Sequence, residues 1–103
     1  MSMYRVDVYV PMSHVEQLKE AMFEAGGGKI GNYDRCCFQT KGTGQFHALE
    51  GATPFLDGSE TVEEIKLEMV CDSSRLPFVL GAIKKVHPYE TPAYQFWKVN
   101  VNE

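Results

Sequence analysis

The chain has 103 residues, 44% hydrophobic and 12% aromatic, with a formal charge of −4. Such a chain makes one domain, spanning 1–103, with material for a core, and it is too apolar for disorder. Scattered basic residues argue against a nucleic-acid surface, no apolar run nears the roughly 18 residues of a bilayer span, and three cysteines give no disulfide framework, which suits a reducing, cytoplasmic setting.

Tyr4, Val6, Val8 and Val10 alternate onto one face, predicting a half-buried strand that Pro11 ends. Ser13 and Glu16 have capping-box spacing, so a helix is expected to begin there. Val15, Leu18, Met22 and Ala25 follow at helical spacing, and Gly26, Gly27 and Gly28 stop the helix. Residues 34–40 predict a second strand with Cys36 and Phe38 facing inward. Residues 41–44 read as a turn, 45–49 as a short return strand, and 51–58 as a loop. The period of two resumes over 61–71, with Ile65, Leu67, Met69 and Cys71 inward and Glu64, Lys66 and Glu68 outward. A second helix is expected to start near Ser73 or Ser74, with Pro77 tolerated in its first turn. Leu76, Val79, Leu80, Ile83 and Val86 form its buried stripe, and a last strand covers 93–101.

The order β-α-β-β-(β)-α-β predicts an α+β fold, the ferredoxin-like split βαβ sandwich. Right-handed crossovers then place two helices on one face of an antiparallel sheet. By alternation the opposite face carries Tyr9, Val70 and Trp97 beside Asp7, Lys66 and Glu68. Large apolar groups on a face without helices predict that a partner covers it.

The densest group of reactive side chains is His87-Pro88-Tyr89-Glu90-Thr91-Pro92. Two prolines four residues apart exclude both helix and central strand, so the chain must turn there in a rigid, extended shape. An imidazole, a phenol and a carboxylate on a rigid connection make it the candidate site. His87 also closes the second helix, where the dipole is expected to favour its charged form. The glycines at 26–28 close a helix instead of opening one, which removes a phosphate-loop reading. His14, His47, His87, Cys36, Cys37 and Cys71 show no metal-ligand spacing, and no histidine stands beside a cysteine to activate it.

Four stretches carry a family resemblance. Gly28-Lys29-Ile30-Gly31-Asn32-Tyr33-Asp34-Arg35-Cys36-Cys37-Phe38 resembles a G-x-I-G-x-Y-x-x-C-x-F signature. Gly42-Thr43-Gly44-Gln45-Phe46, Gly51-Ala52-Thr53-Pro54-Phe55 and His87-Pro88-Tyr89-Glu90-Thr91-Pro92-Ala93-Tyr94 follow in the same order. Together they resemble the inserted domain of the NGG-interacting-factor family, also called GTP cyclohydrolase type 2 homologues. The last stretch is also similar to the end of the CutA-like divalent-ion-tolerance proteins, and both groups share the PII-like ferredoxin fold. Departures fall at Cys37, and at His47-Ala48 where a basic residue and proline are usual. The family's paired metal ions sit on flanking domains that these residues do not match, so the resemblance implies the insert alone and no hydrolase chemistry.

The resemblance implies a small non-catalytic ligand-binding or regulatory module, self-associating with a trimer favoured. Its ligand site is expected at His87, Tyr89 and Glu90, lined by Gly31, Tyr33, Gly44 and Phe46. A CutA-like divalent metal ion held by His87, Glu90 and Cys36 is the competing expectation; no other cofactor, and no catalytic residue, is expected.

Overall fold

Alternation along β1 (Met3–Pro11) buries Val6, Val8 and Val10 completely, as the sequence predicts. The computed structural model describes residues 2–56 and 60–101, so positions 57 and 58 of the expected loop lie outside the described residues. After β1 a 3-10 turn (Met12–His14) leads into α1 (Val15–Glu24). The expected capping box does not form. Ser13 falls inside the 3-10 turn instead of at the helix boundary, and its Oγ lies 2.8 Å from His14 Nδ1. Val15, Leu18 and Met22 are buried. The helix stops at Gly26 (φ +110°), where the Gly26 and Gly27 N–H groups donate to the carbonyls of Phe23 and Met22. A left-handed residue closing those bonds is what glycine tolerates best.

β2 (Phe38–Gln45) corrects the sequence reading. Residues 41–44 do not turn but continue the strand, paired from Lys41↔Ile65 to Gly44↔Val62. The return strand over 45–49 is absent; the chain leaves β2 with a single bond from Phe46 N–H to the Glu60 carbonyl. Gly42 and Gly44 are alternate residues on one strand face, and a Cβ on Gly44 would overlap the Glu64 carboxylate. Glycine there makes room for a neighbour instead of bending the chain. Cys36 and Phe38 are not inward either. Cys36 precedes the strand, and Phe38, paired with Glu68, is 69% exposed on the helix-free side.

β3 (Thr61–Asp72), α2 (Leu76–Val86) and β4 (Tyr94–Val99) complete the fold. α2 starts later than Ser73 because Asp72 Oδ1 accepts from the Ser74 N–H and hydroxyl, holding a turn before the first helical residue. The sheet order is β2-β3-β1-β4, antiparallel throughout. This is the expected ferredoxin-like α+β arrangement. Leu18, Met22, Val79 and Ile83 from the helices pack on Val6, Val8, Ile65, Leu67, Met69 and Cys71 from the sheet. Burying each large side chain contributes roughly 1.5–3 kcal/mol, so this layer holds the domain together.

The other face carries charge as well as rings. Asp7 is only 3% exposed there, with Arg5 Nε at 2.8 Å and Lys66 Nζ at 3.7 Å. Arg5 also pairs with Glu68 and lies over the Trp97 ring, 5.7 Å from its centroid. Among the described residues, no helix is long and apolar enough to cross a membrane.

Candidate functional site

His87 is the residue that stops α2. Its N–H donates to the Ile83 carbonyl, and its own backbone turns extended (φ −64°, ψ 132°) because Pro88 follows. The ring is then directed inward, and the residue is 7% exposed. Nε2 lies 2.7 Å from the Tyr9 carbonyl and must donate to it, since a carbonyl only accepts. Nδ1 accepts from the Tyr89 N–H at 3.2 Å. The neutral Nε2–H tautomer satisfies both partners at once. Burial pushes the His87 pKa below its ordinary 6.5; the Tyr9 carbonyl and the Glu64 charge oppose this without reversing it. The expectation of a charged ring at the helix end is therefore corrected: desolvation outweighs the groups that favour the charge.

The next residues tie other elements to the same corner. Tyr89 donates its hydroxyl to Glu64 Oε2 of β3 at 2.8 Å, and burial, with Glu64 adding to it, raises its phenol pKa well above 10. Glu90 Oε2 accepts from the Thr53 N–H at 2.7 Å. Phe55 stands between His14, edge-on at 5.4 Å, and Tyr89 at 6.2 Å. Within four residues, His87 is bound to β1, Tyr89 to β3 and Glu90 to the loop after β2. The polar atoms of the corner are thus engaged in holding the fold.

Not all the expected site residues meet. Gly44 reaches the corner through Glu64, which lies over it, and Phe46 follows directly after β2. Gly31 and Tyr33 do not come there. They sit on a tight turn closed by the paired Ile30 and Tyr33 backbone bonds, beside a separate hollow of about 580 Å3 with Phe23, Lys29 and Arg35. That turn is anchored by Gly28 N–H on the Val70 carbonyl, whereas Tyr89 holds Glu64. Six residues of strand separate those anchors, roughly 20 Å at the usual rise. Cys36 belongs to the far end, its N–H on the Gly28 carbonyl. The set His87, Glu90 and Cys36 is therefore not assembled. Among the described residues no three His, Cys, Asp or Glu side chains converge as a metal site requires, and both His87 ring nitrogens already have partners.

The sequence reading missed a cavity of about 400 Å3 on the helix-free face. Its floor is Tyr9, Glu64, Lys66 and Glu68, and its wall is Thr40 to Gly44. The strand period alone marks Glu64 as outward-facing and no more. The available signal was Gly42 and Gly44 at alternate positions, which on a continuous strand leave one face bare. Chemically the hollow offers mixed charge and an exposed backbone position at Gly42, with no nucleophile beside a base.

No protein-family model matches the chain. It is 43% identical over 99 residues to a GTP cyclohydrolase 1 type 2 homolog of Halalkalibacterium halodurans, covering 93% of this chain. It spans 27% of that relative's length. A solved Bacillus cereus protein related to NIF3 superposes with a TM-score of 0.84 at 38% identity, over 97% of this chain and 26% of that one. CutA1 from Pyrococcus horikoshii superposes with a TM-score of 0.70 at 17% identity, over 97% and 87% of the two chains. GlnK of Bacillus subtilis gives 0.60 at 16% identity, over 96% and 86%. The last two likenesses establish the fold alone.

Proposed function

We propose that this domain, which matches one segment of the NIF3-related proteins and has the CutA/PII-like fold, is a non-catalytic binding and regulatory module. It works by self-association through the helix-free face of its sheet, in a reducing, cytoplasmic setting that the free Cys36, Cys37 and Cys71 suit. The supporting observation is the make-up of that face. Phe38 is 69% and Trp97 43% exposed, beside a nearly buried, ion-paired Asp7. Three copies are the favoured assembly, on the strength of the resemblance to CutA-like proteins. The cavity beside Glu64 and Lys66 lies on the same face, so assembly and ligand binding share one surface. The GTP cyclohydrolase name belongs to relatives nearly four times as long, and their chemistry is not assigned to this chain.

Phe38 and Trp97 are only partly exposed and Val70 is half-buried, so covering each contributes less than the roughly 1.5–3 kcal/mol of full burial. Lost rotational and translational freedom costs about 4–15 kcal/mol. With so narrow a margin, assembly through this face should depend on concentration, and sedimentation should span the micromolar range. We expect an oligomer that Trp97→Lys dissociates while far-UV dichroism is retained, because a second cation then faces Arg5. A wild-type monomer at every concentration refutes the reading.

A further inference from the structure

The loop after β2 does more than connect strands. Residues 49–56 carry their own turn, with Ala52 N–H on the Leu49 carbonyl and Gly51 at φ +92°. They touch the corner through the Thr53 N–H, on Glu90, and through the Phe55 ring, on Tyr89 and His14. Both Thr53 and Glu90 are exposed, and Phe55 is 43% exposed. A segment whose described holds are an exposed hydrogen bond and a half-covered ring opens far more readily than the core unfolds. The same ring contact leads onward, since Tyr89 carries the hydroxyl that fixes Glu64 over Gly44 in the lining of the 400 Å3 cavity.

We infer that residues 49–56 are a strap whose docking sets the position of the Glu64 carboxylate on the helix-free face, so that whatever holds or lifts the strap regulates that face. Docked, Phe55 keeps Tyr89 in place, and Tyr89 keeps Glu64 against β2. Lifted, Tyr89 keeps its closer packing on the His87 ring at 4.8 Å but loses the Phe55 contact. Its looser hydroxyl then lets the Glu64 carboxylate shift within the cavity towards Glu68 and Lys66. A carboxylate that has lost its hydroxyl donor and moved beside Glu68 is costlier to strip of water, which opposes covering that surface. This deepens the self-association reading and rests on it only for its second readout.

The test compares wild type, Phe55→Ala and Tyr89→Phe. Amide exchange reads the strap at Thr53, the carboxyl chemical shift reads Glu64, and sedimentation reads assembly. Phe55→Ala should speed Thr53 exchange about tenfold, leaving β1 and β3 amides unchanged, since the opening is local. It should also move the Glu64 signal towards its value in Tyr89→Phe, which keeps the ring but lacks the hydroxyl. Association should weaken about fivefold or more in both, the lower range of ordinary coupling between sites. An unchanged Glu64 signal in Phe55→Ala overturns the inference. A shifted Glu64 signal with unchanged association overturns its regulatory part. A wild type that never associates removes the assembly reading, while the Glu64 signal still decides whether strap and carboxylate are coupled.

Discussion

Replacing His87 by alanine separates a structural corner from a ligand site. The change deletes the 2.7 Å donation to the Tyr9 carbonyl and the acceptor for the Tyr89 N–H. Each such bond is worth a net ~0.5–1.5 kcal/mol, and an acceptor left without a partner costs about 1–3 kcal/mol. With the volume lost at a residue 7% exposed, the expected loss is roughly 2–4 kcal/mol. Urea denaturation at pH 7.5 should show it as a lower midpoint at unchanged slope. His87→Gln, which keeps one amide donor and one acceptor, should recover part of the loss. The pH dependence has a definite sign. Folding lowers the His87 pKa, so the unfolded chain binds more protons and stability rises with pH. The contribution is fully present above the ordinary value of 6.5 and is lost as pH falls from there through the lower folded value. His87→Gln should lack that slope just below pH 6.5. Alanine variants within about 0.5 kcal/mol of wild type, the usual range for inconsequential surface changes, would refute the structural reading.

Gly44→Ala should cost ~1–2 kcal/mol by displacing Glu64 from Tyr89, whereas Gly42→Ala, facing open space, should be near neutral; calorimetric melting of the pair checks the contrast. Cys71→Ala should cost on the order of 1–2 kcal/mol through lost core packing. Cys36→Ala should stay within about 0.5 kcal/mol, since the thiol is only partly buried and donates a weak bond to the Asp34 carbonyl at 3.6 Å; equal losses in urea would contradict the burial difference. Arg5→Ala should destabilise by ~1–3 kcal/mol, less than a fully buried pair because Arg5 is partly exposed. It leaves Asp7 with Lys66 alone at 3.7 Å, and adding Asp7→Asn should restore part of the stability.

The sequence by itself determined the elements whose signal is local and repetitive. The valines of β1, the inward series of β3 and the stripes of both helices are each legible because burial on one face imposes a period of 2 or 3.6. From that order the ferredoxin-like topology followed, since short right-handed connections leave few alternatives. The proline corner was legible too, as a place where the chain must turn. Its meaning was not. Whether His87 is charged depends on how far burial strips water from its ring against what the Tyr9 carbonyl, 78 positions away, gives back. Gly42 and Gly44 look like a turn in isolation and become a strand only against β3, where Glu64 takes the space of a missing side chain. The expected grouping of Cys36 and Tyr33 with His87 failed for the same reason. Composition records which reactive groups a chain owns, but the opposite ends of one strand, and so the distance between them, exist only once the sheet has formed.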